Sequence, residues 1–92
     1  MLNLNSLVKK NQGLPWSKIE NQMVLLDQDE KEAIRLNDVA SSIWSSINGE
    51  RTVGQIALQI CESFDVNRRK AEKDVLHFLE RLLREGIIDV QE

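Results

Sequence analysis

The stretch from Ala33 to Ile56, AIRLNDVASSIWSSINGERTVGQI, decides the fold, because it changes period once and stops once. Ala33-Ile34-Arg35-Leu36 alternates with period 2, placing Ile34 and Leu36 on one face of a strand and Ala33 and Arg35 on the other. Asn37 or Asp38 then supplies an N-cap, since a side-chain oxygen there accepts from the first free helix N–H groups. Val39, Ala40, Ile43, Trp44 and Ile47 follow at helical spacing, with serines on the outer face. Gly49 suits the left-handed conformation that ends a helix. Thr52-Val53-Gly54-Gln55 has the capping-box pattern, so a second helix opens there and carries Val53, Ile56, Ala57, Ile60 and Phe64 as its stripe.

Two more strand-length runs lie upstream. Leu14 to Ile19 alternates loosely, with Pro15 at its start or at an edge because it lacks an N–H. Met23-Val24-Leu25-Leu26-Asp27 follows the polar turn Glu20-Asn21-Gln22, and Gln28 to Lys31 is polar enough for the next turn. Three short strands joined by tight turns read as an antiparallel meander. Downstream, a third helix is expected from about Arg68 to Glu85, terminated by Gly86. Ala71, Val75, Phe78, Leu79 and Leu82 cover one face and Leu76 and Leu83 its flank, an arc wider than the roughly 100° that one neighbour requires. Either this helix is wedged between two layers or part of its flank is left for a partner. Ile87 to Val90 closes the chain as a short strand or an apolar latch. Residues 1–13 are read as a polar N-terminal arm, mobile or forming a short amphipathic turn, and residues 14–92 as the domain. The fold class is α+β: winged-helix-like, an N-terminal three-stranded antiparallel sheet followed by three helices.

The bulk numbers bound the function. Ninety-two residues make one core, and 41% hydrophobic with 29% charged residues is ordinary for a globular chain. A net charge of −3 disfavours duplex nucleic acid, whose phosphates attract proteins rich in Lys and Arg. The single cysteine, Cys61, excludes an internal disulfide. No apolar run reaches the length of a signal-peptide core or a membrane span, which makes the cytoplasm the expected location.

Leu25-Leu26-Asp27, Leu36-Asn37, Ile43-Trp44, Asn48-Gly49, Thr52-Val53, Ile56, Asp74-Val75, Phe78-Leu79, Leu82 and Gly86 occur in an order that resembles the pyrroloquinoline-quinone synthesis protein D (PqqD) family, over about residues 20 to 88. Each piece alone is weak, and the ordered set carries the likeness. The departure is Lys31-Glu32-Ala33, where such chains often have Gly and an aromatic residue. The resemblance implies a precursor-peptide recognition element: a non-catalytic protein that holds the leader of a ribosomally made, post-translationally modified peptide (RiPP) and presents it to a modifying enzyme. It implies as partners a leader peptide together with a radical-SAM enzyme or a lasso-peptide leader peptidase, with no cofactor, nucleic acid or membrane. The protein itself is expected to be a monomer.

It also implies that the leader adds as a strand along Ala33, Ile34, Arg35 and Leu36, in a groove walled by the third helix. An exposed edge offers unpaired N–H and C=O groups to any extended chain, so strand addition is physically apt. The expected groove lining is Ile34, Leu36, Val75, Phe78, Leu79 and Leu82, with Arg35 and Arg81 making electrostatic contacts. The bland reading of the same residues is core for Ile34 and Leu36 and an edge guarded by charge at Glu32 and Arg35.

Other constellations are weaker. His77 is the only histidine and has no second ligand in view, and Cys61 reads as a small buried hydrophobe. Asp27, Asp29, Glu30 and Glu32 lack calcium-loop spacing and read as a solvated hairpin end. The alternative function is a winged-helix DNA-binding regulator, drawn from Arg68, Arg69, Lys70 and Lys73 at the start of the third helix. From Asn67 to Glu85, however, six basic residues are interleaved with four acidic ones, a weak footprint for duplex DNA. The basic residues could instead meet acidic leader residues or keep the helix soluble.

Overall fold

The computed structural model describes residues 2–11, 16–19, 22–26 and 33–91. Its elements in chain order are strands β1 (Leu7–Lys10), β2 (Trp16–Ile19), β3 (Gln22–Leu26) and β4 (Ala33–Leu36), helices α1 (Asp38–Ser46), α2 (Val53–Phe64) and α3 (Arg68–Arg84), and strand β5 (Ile88–Gln91). The fold is α+β, with three helices and small antiparallel sheets.

One sheet has the order β2-β3-β4. Its register sets Met23 opposite Leu36, Leu25 opposite Ile34 and Val24 opposite Arg35. The period-2 alternation of β4 therefore sends Ile34 and Leu36 into the core beside Leu25 and leaves Arg35 exposed. The turns on either side of β3 and the acidic cluster Asp27, Asp29, Glu30 and Glu32 lie outside the described residues.

The second sheet corrects the expectation of a polar arm at residues 1–13. Leu7–Lys10 pairs antiparallel with Ile88–Gln91, from Leu7 opposite Gln91 to Lys10 opposite Ile88. Leu2 and Val8 are buried in the main core, and Leu4 packs against it. The N–H groups of Val53 and Gly54, otherwise unsatisfied at the start of α2, donate to the carbonyls of Ser6 and Leu4 at 2.9 Å each. A Cβ at Gly54 would stand 3.1 Å from the Leu4 carbonyl oxygen, so the glycine permits this close approach. Asn11 continues the ribbon, donating from its N–H to Ile87 O at 3.1 Å and from its side-chain amide to Gly86 O.

Local chemistry sets the helix ends. Asn37 caps α1 by accepting from Ala40 N at 2.8 Å, and Asn67 caps α3 by accepting from Lys70 N at 2.8 Å. Thr52 and Gln55 form the reciprocal capping box on α2: Thr52 Oγ1 accepts from Gln55 N at 3.1 Å, and Gln55 Oε1 accepts from Thr52 N at 2.8 Å. Thr52→Ala removes one half of that pair and is expected to lower the unfolding free energy by about 0.5–2 kcal/mol in a urea titration. An unchanged midpoint would show that the first turn of α2 is held by Ser6 and Leu4 alone.

The core lies between the helices and both sheets. Ile43, Trp44, Ile56, Ile60, Val75, Leu79 and Leu82 meet there with Leu25, Ile34, Leu36 and Ile88. The one buried polar residue among those described, Ser46, is satisfied by donating to Ser42 O at 2.9 Å and Gln59 Oε1 at 3.3 Å. In the same last turn of α1, the Lys10 ammonium stands over the Trp44 ring, 4.6 Å from its centroid. Desolvation by burial pushes the Lys10 pKa below the usual lysine range, and attraction to the ring face offsets part of that cost.

Candidate functional site

Two features stand next to each other where β4 runs into α1. The first is a sheet edge. In the β2-β3-β4 order β4 is hydrogen-bonded to β3 alone among the described residues, so its other side carries main-chain groups with no strand partner among them. The second is an open cavity of about 390 Å³ that begins at Asn37, the residue after β4. Val39, Ala40 and Ile43 of α1 form one wall, and Ile60, Phe64 and Val66 close the α2 end. Lys70, Ala71, Asp74 and Phe78 of α3 form the other wall.

The geometry follows from helical spacing. Lys70, Asp74 and Phe78 recur at i, i+4 and i+8 and so lie along one flank of α3, beside the stripe of Ala71, Val75, Leu79 and Leu82 that enters the core. Lys70 Nζ and Asp74 Oδ2 are 3.1 Å apart at the cavity wall, both largely exposed, so their pairing contributes little to stability. Behind Phe64 the chain turns through Asp65, which takes a left-handed conformation (φ 53°). The Cys61 thiol donates to Val66 O at 2.9 Å across that turn. The cysteine thus has a structural hydrogen bond on the side of α2 that ends at the cavity.

The expected site residues divide sharply. Ile34, Leu36, Val75, Leu79 and Leu82 are buried, with Val75, Leu79 and Leu82 at 0% exposure, so they are core side chains and do not line an open groove. The roll of α3 is the reason: its stripe faces α2 and the sheets, and only the flank bearing Phe78 is left half-open. Phe78 lines the cavity, while Arg35 and Arg81 are exposed. Ala33 belongs to the edge strand through its backbone. Sequence reading placed Val39, Phe64, Val66, Lys70 and Asp74 nowhere in the site. The available signal was the flank itself, since Lys70 and Asp74 continue the line of Phe78 at spacings of four.

The basic cluster at the start of α3 is half compensated. Arg68 Nε lies 3.3 Å from Glu72 Oε2 and Lys70 is paired with Asp74, which leaves Arg69 and Lys73 as its uncompensated members among the described residues. His77 is exposed, and the described residues contain no group of three or more His, Cys, Asp or Glu that could hold a metal ion. None of the described helices is long and apolar enough to cross a membrane.

Comparison with known proteins connects this geometry to a family. The family model for coenzyme PQQ synthesis protein D (PqqD) matches residues 22–88, most of the chain. A PqqA binding protein of Rhizobium meliloti (strain 1021) is 28% identical over 88 residues, which are 94% of this chain and 88% of that protein. TbiB1, solved in complex with the TbiA(beta) leader peptide, superposes with a TM-score of 0.75 and 26% identity, covering 88% of this chain and 94% of that one. The PqqD truncation of Methylobacterium extorquens PqqCD, a stand-alone RiPP recognition element, superposes with a TM-score of 0.79 at 23% identity, over 97% of this chain and 95% of that one, and shows the shared fold.

Proposed function

Because this chain belongs to the PqqD family, we propose that it is a non-catalytic leader-peptide-binding protein that takes the leader of a ribosomally made precursor as an added strand and presents it to a modifying enzyme. The observation that carries the reading is the pairing of β4 on one side only, directly beside the cavity between α1, α2 and α3. An extended peptide laid along Ala33–Leu36 would supply partners to the main-chain groups of that open edge, whatever its side chains. Selectivity then comes from what its side chains meet next to the edge. Phe78, Val39 and Phe64 offer apolar contact, and Arg35 and Arg81 offer charge. Ile34 and Leu36 contribute their backbone to the strand and their side chains to the core beneath it.

The likeness to TbiB1, whose structure contains a leader peptide, supports this reading, as does the relative that binds PqqA. The scaffold we read as winged-helix-like: a strand leads straight into a helix pair, a third helix packs on the second, and the β1–β5 ribbon closes the fold. Its work is binding, and the chemistry belongs to the partner enzyme. A cytoplasmic location, where leader and enzyme are made, suits that role.

The direct test is a backbone amide NMR titration of the labelled chain with the leader segment of a short peptide encoded beside its gene. Saturable shifts are expected at Ala33–Leu36 and at Asn37, Asp74 and Phe78. Shifts confined to Arg68–Lys73, appearing with duplex DNA and disappearing with salt, would replace peptide presentation with nucleic-acid binding.

A further inference from the structure

Lys10 stands where strand alternation calls for an apolar residue. Val8 and Lys10 share one face of β1, and Val8, at 0% exposure, marks that face as the inner one. Lys9 points the other way and is exposed. We propose that Lys10 is a positioning residue: through the Trp44 ring its ammonium fixes α1, and with it the α1 wall of the cavity, so that leader binding depends on a charge outside the binding edge. This rests on the peptide-binding reading and adds to it a residue of the other sheet.

The first argument is what holds α1. Val39, Ala40 and Ile43 form one wall of the cavity, and Lys70, Ala71, Asp74 and Phe78 of α3 form the other. The gap between the two walls is therefore set by where α1 is anchored elsewhere. Its first turn is capped by Asn37, directly after β4. In its last turn Ser46 Oγ donates to Gln59 Oε1 of α2 at 3.3 Å, and Arg51 Nη1 donates to Ser46 O at 3.0 Å. Trp44 lies about 200° around the helix from Ser46. On that side the contact comes from the β1–β5 ribbon, with the Lys10 ammonium 4.6 Å from the ring centroid. The last turn of α1 has no basic residue of its own, so both cations that touch it come from outside the helix.

The second argument is the cost of keeping a charge there. No described carboxylate, Glu50, Glu85 and Asp89 included, forms an ion pair with Lys10. Asp89 stands opposite Lys9 on the outer face of the ribbon, and Arg51 is engaged by Ser46 O. Burial pushes the Lys10 pKa below the usual lysine range, and the ring offsets only part of that desolvation. A methionine of similar length would occupy the same inward position without it. A charge kept there at a net cost, against the helix that walls the candidate site, serves placement rather than stability.

The test compares the parent chain with Lys10→Met and Lys10→Arg, each labelled with ¹³C. The probe is the leader segment of a short peptide encoded beside the gene. Lys10→Met should melt no lower than the parent, yet shift the Val39 and Ile43 methyl signals and bind the probe about threefold or more weakly by calorimetry. Lys10→Arg keeps a cation over the ring and should restore the parent affinity. In a pH titration of the parent, the Trp44 ring and Ile43 methyl signals should move with Lys10 Cε, at a midpoint below that of Lys9 Cε. Lys10 is charged below that midpoint and neutral above it, so binding should be strong below and weaken above. The same signals should stay still at that midpoint in Lys10→Met. Parent-like binding by Lys10→Met, or Val39 and Ile43 signals indifferent to residue 10, would overturn the inference. So would a melt that falls together with affinity, since Lys10 would then be a structural support alone. A parent that does not bind the probe would overturn the peptide reading instead, because the Val39 and Ile43 signals still decide whether Lys10 positions α1.

Discussion

Trp44→Ala is expected to lower the unfolding free energy by about 3–5 kcal/mol, the range for truncating a large aromatic in a packed core. Trp44 is 3% exposed on the apolar face of α1. Its neighbour Ile43 reaches the cavity wall, so α1 links the β1–β5 side of the molecule to the proposed binding site. Truncation leaves a void too large for the surrounding side chains to close and removes the ring over which Lys10 sits. The partly desolvated ammonium then loses its compensating partner, which adds to the loss. For a domain of this size each kcal/mol shifts the midpoint by about 4–8 °C, so a circular dichroism melt should fall by some tens of degrees. A melt within a few degrees of the parent would mean that Trp44 is peripheral to the core.

The second large effect separates two adjacent residues of α3. Leu79→Ala should cost about 2–5 kcal/mol of stability, since Leu79 is wholly buried and its truncation leaves a cavity. Leader affinity measured well below the melting midpoint should change little. Phe78→Ala should do the reverse: about 1–2 kcal/mol of stability, because the ring is only partly buried, with binding of the leader segment weakened about tenfold or more by calorimetry. If Leu79→Ala binds weakly while fully folded and Phe78→Ala binds normally, the groove lies on the face assigned to the core.

That contrast marks the limit of what the sequence discloses. Helix starts were legible because they are written locally: Asn37, Thr52 with Gln55, and Asn67 each satisfy N–H groups within three residues of themselves. The core role of Trp44, Ile43, Ile56 and Ile60 followed from spacing alone; spacing also put Ile34 and Leu36 on one face, but not whether that face meets the core or the groove. The roll of α3 did not follow, because a broad apolar arc fits several orientations and the choice belongs to α2 and the sheets that pack on it. Phe78 and Leu79 therefore both fall within that arc, about 100° apart, and differ in the molecule. The cavity was invisible for a related reason: its walls come from three helices, and no one of them shows a signal.

The β1–β5 ribbon is not legible in the sequence, because its partners stand at opposite ends of the chain and Val8 is the only fully buried residue of β1. That ribbon also settles where a tether can be attached. Leu7 lies opposite Gln91, so the last described residue leaves from a sheet that shares no strand with β4. A linker from that end to an enzyme would leave the proposed peptide-accepting edge clear. It would also hold a captured leader at an effective concentration on the order of millimolar beside the catalyst. Fused or free, a domain with the proposed role would deliver the same peptide, and the difference would lie in how far that peptide must diffuse.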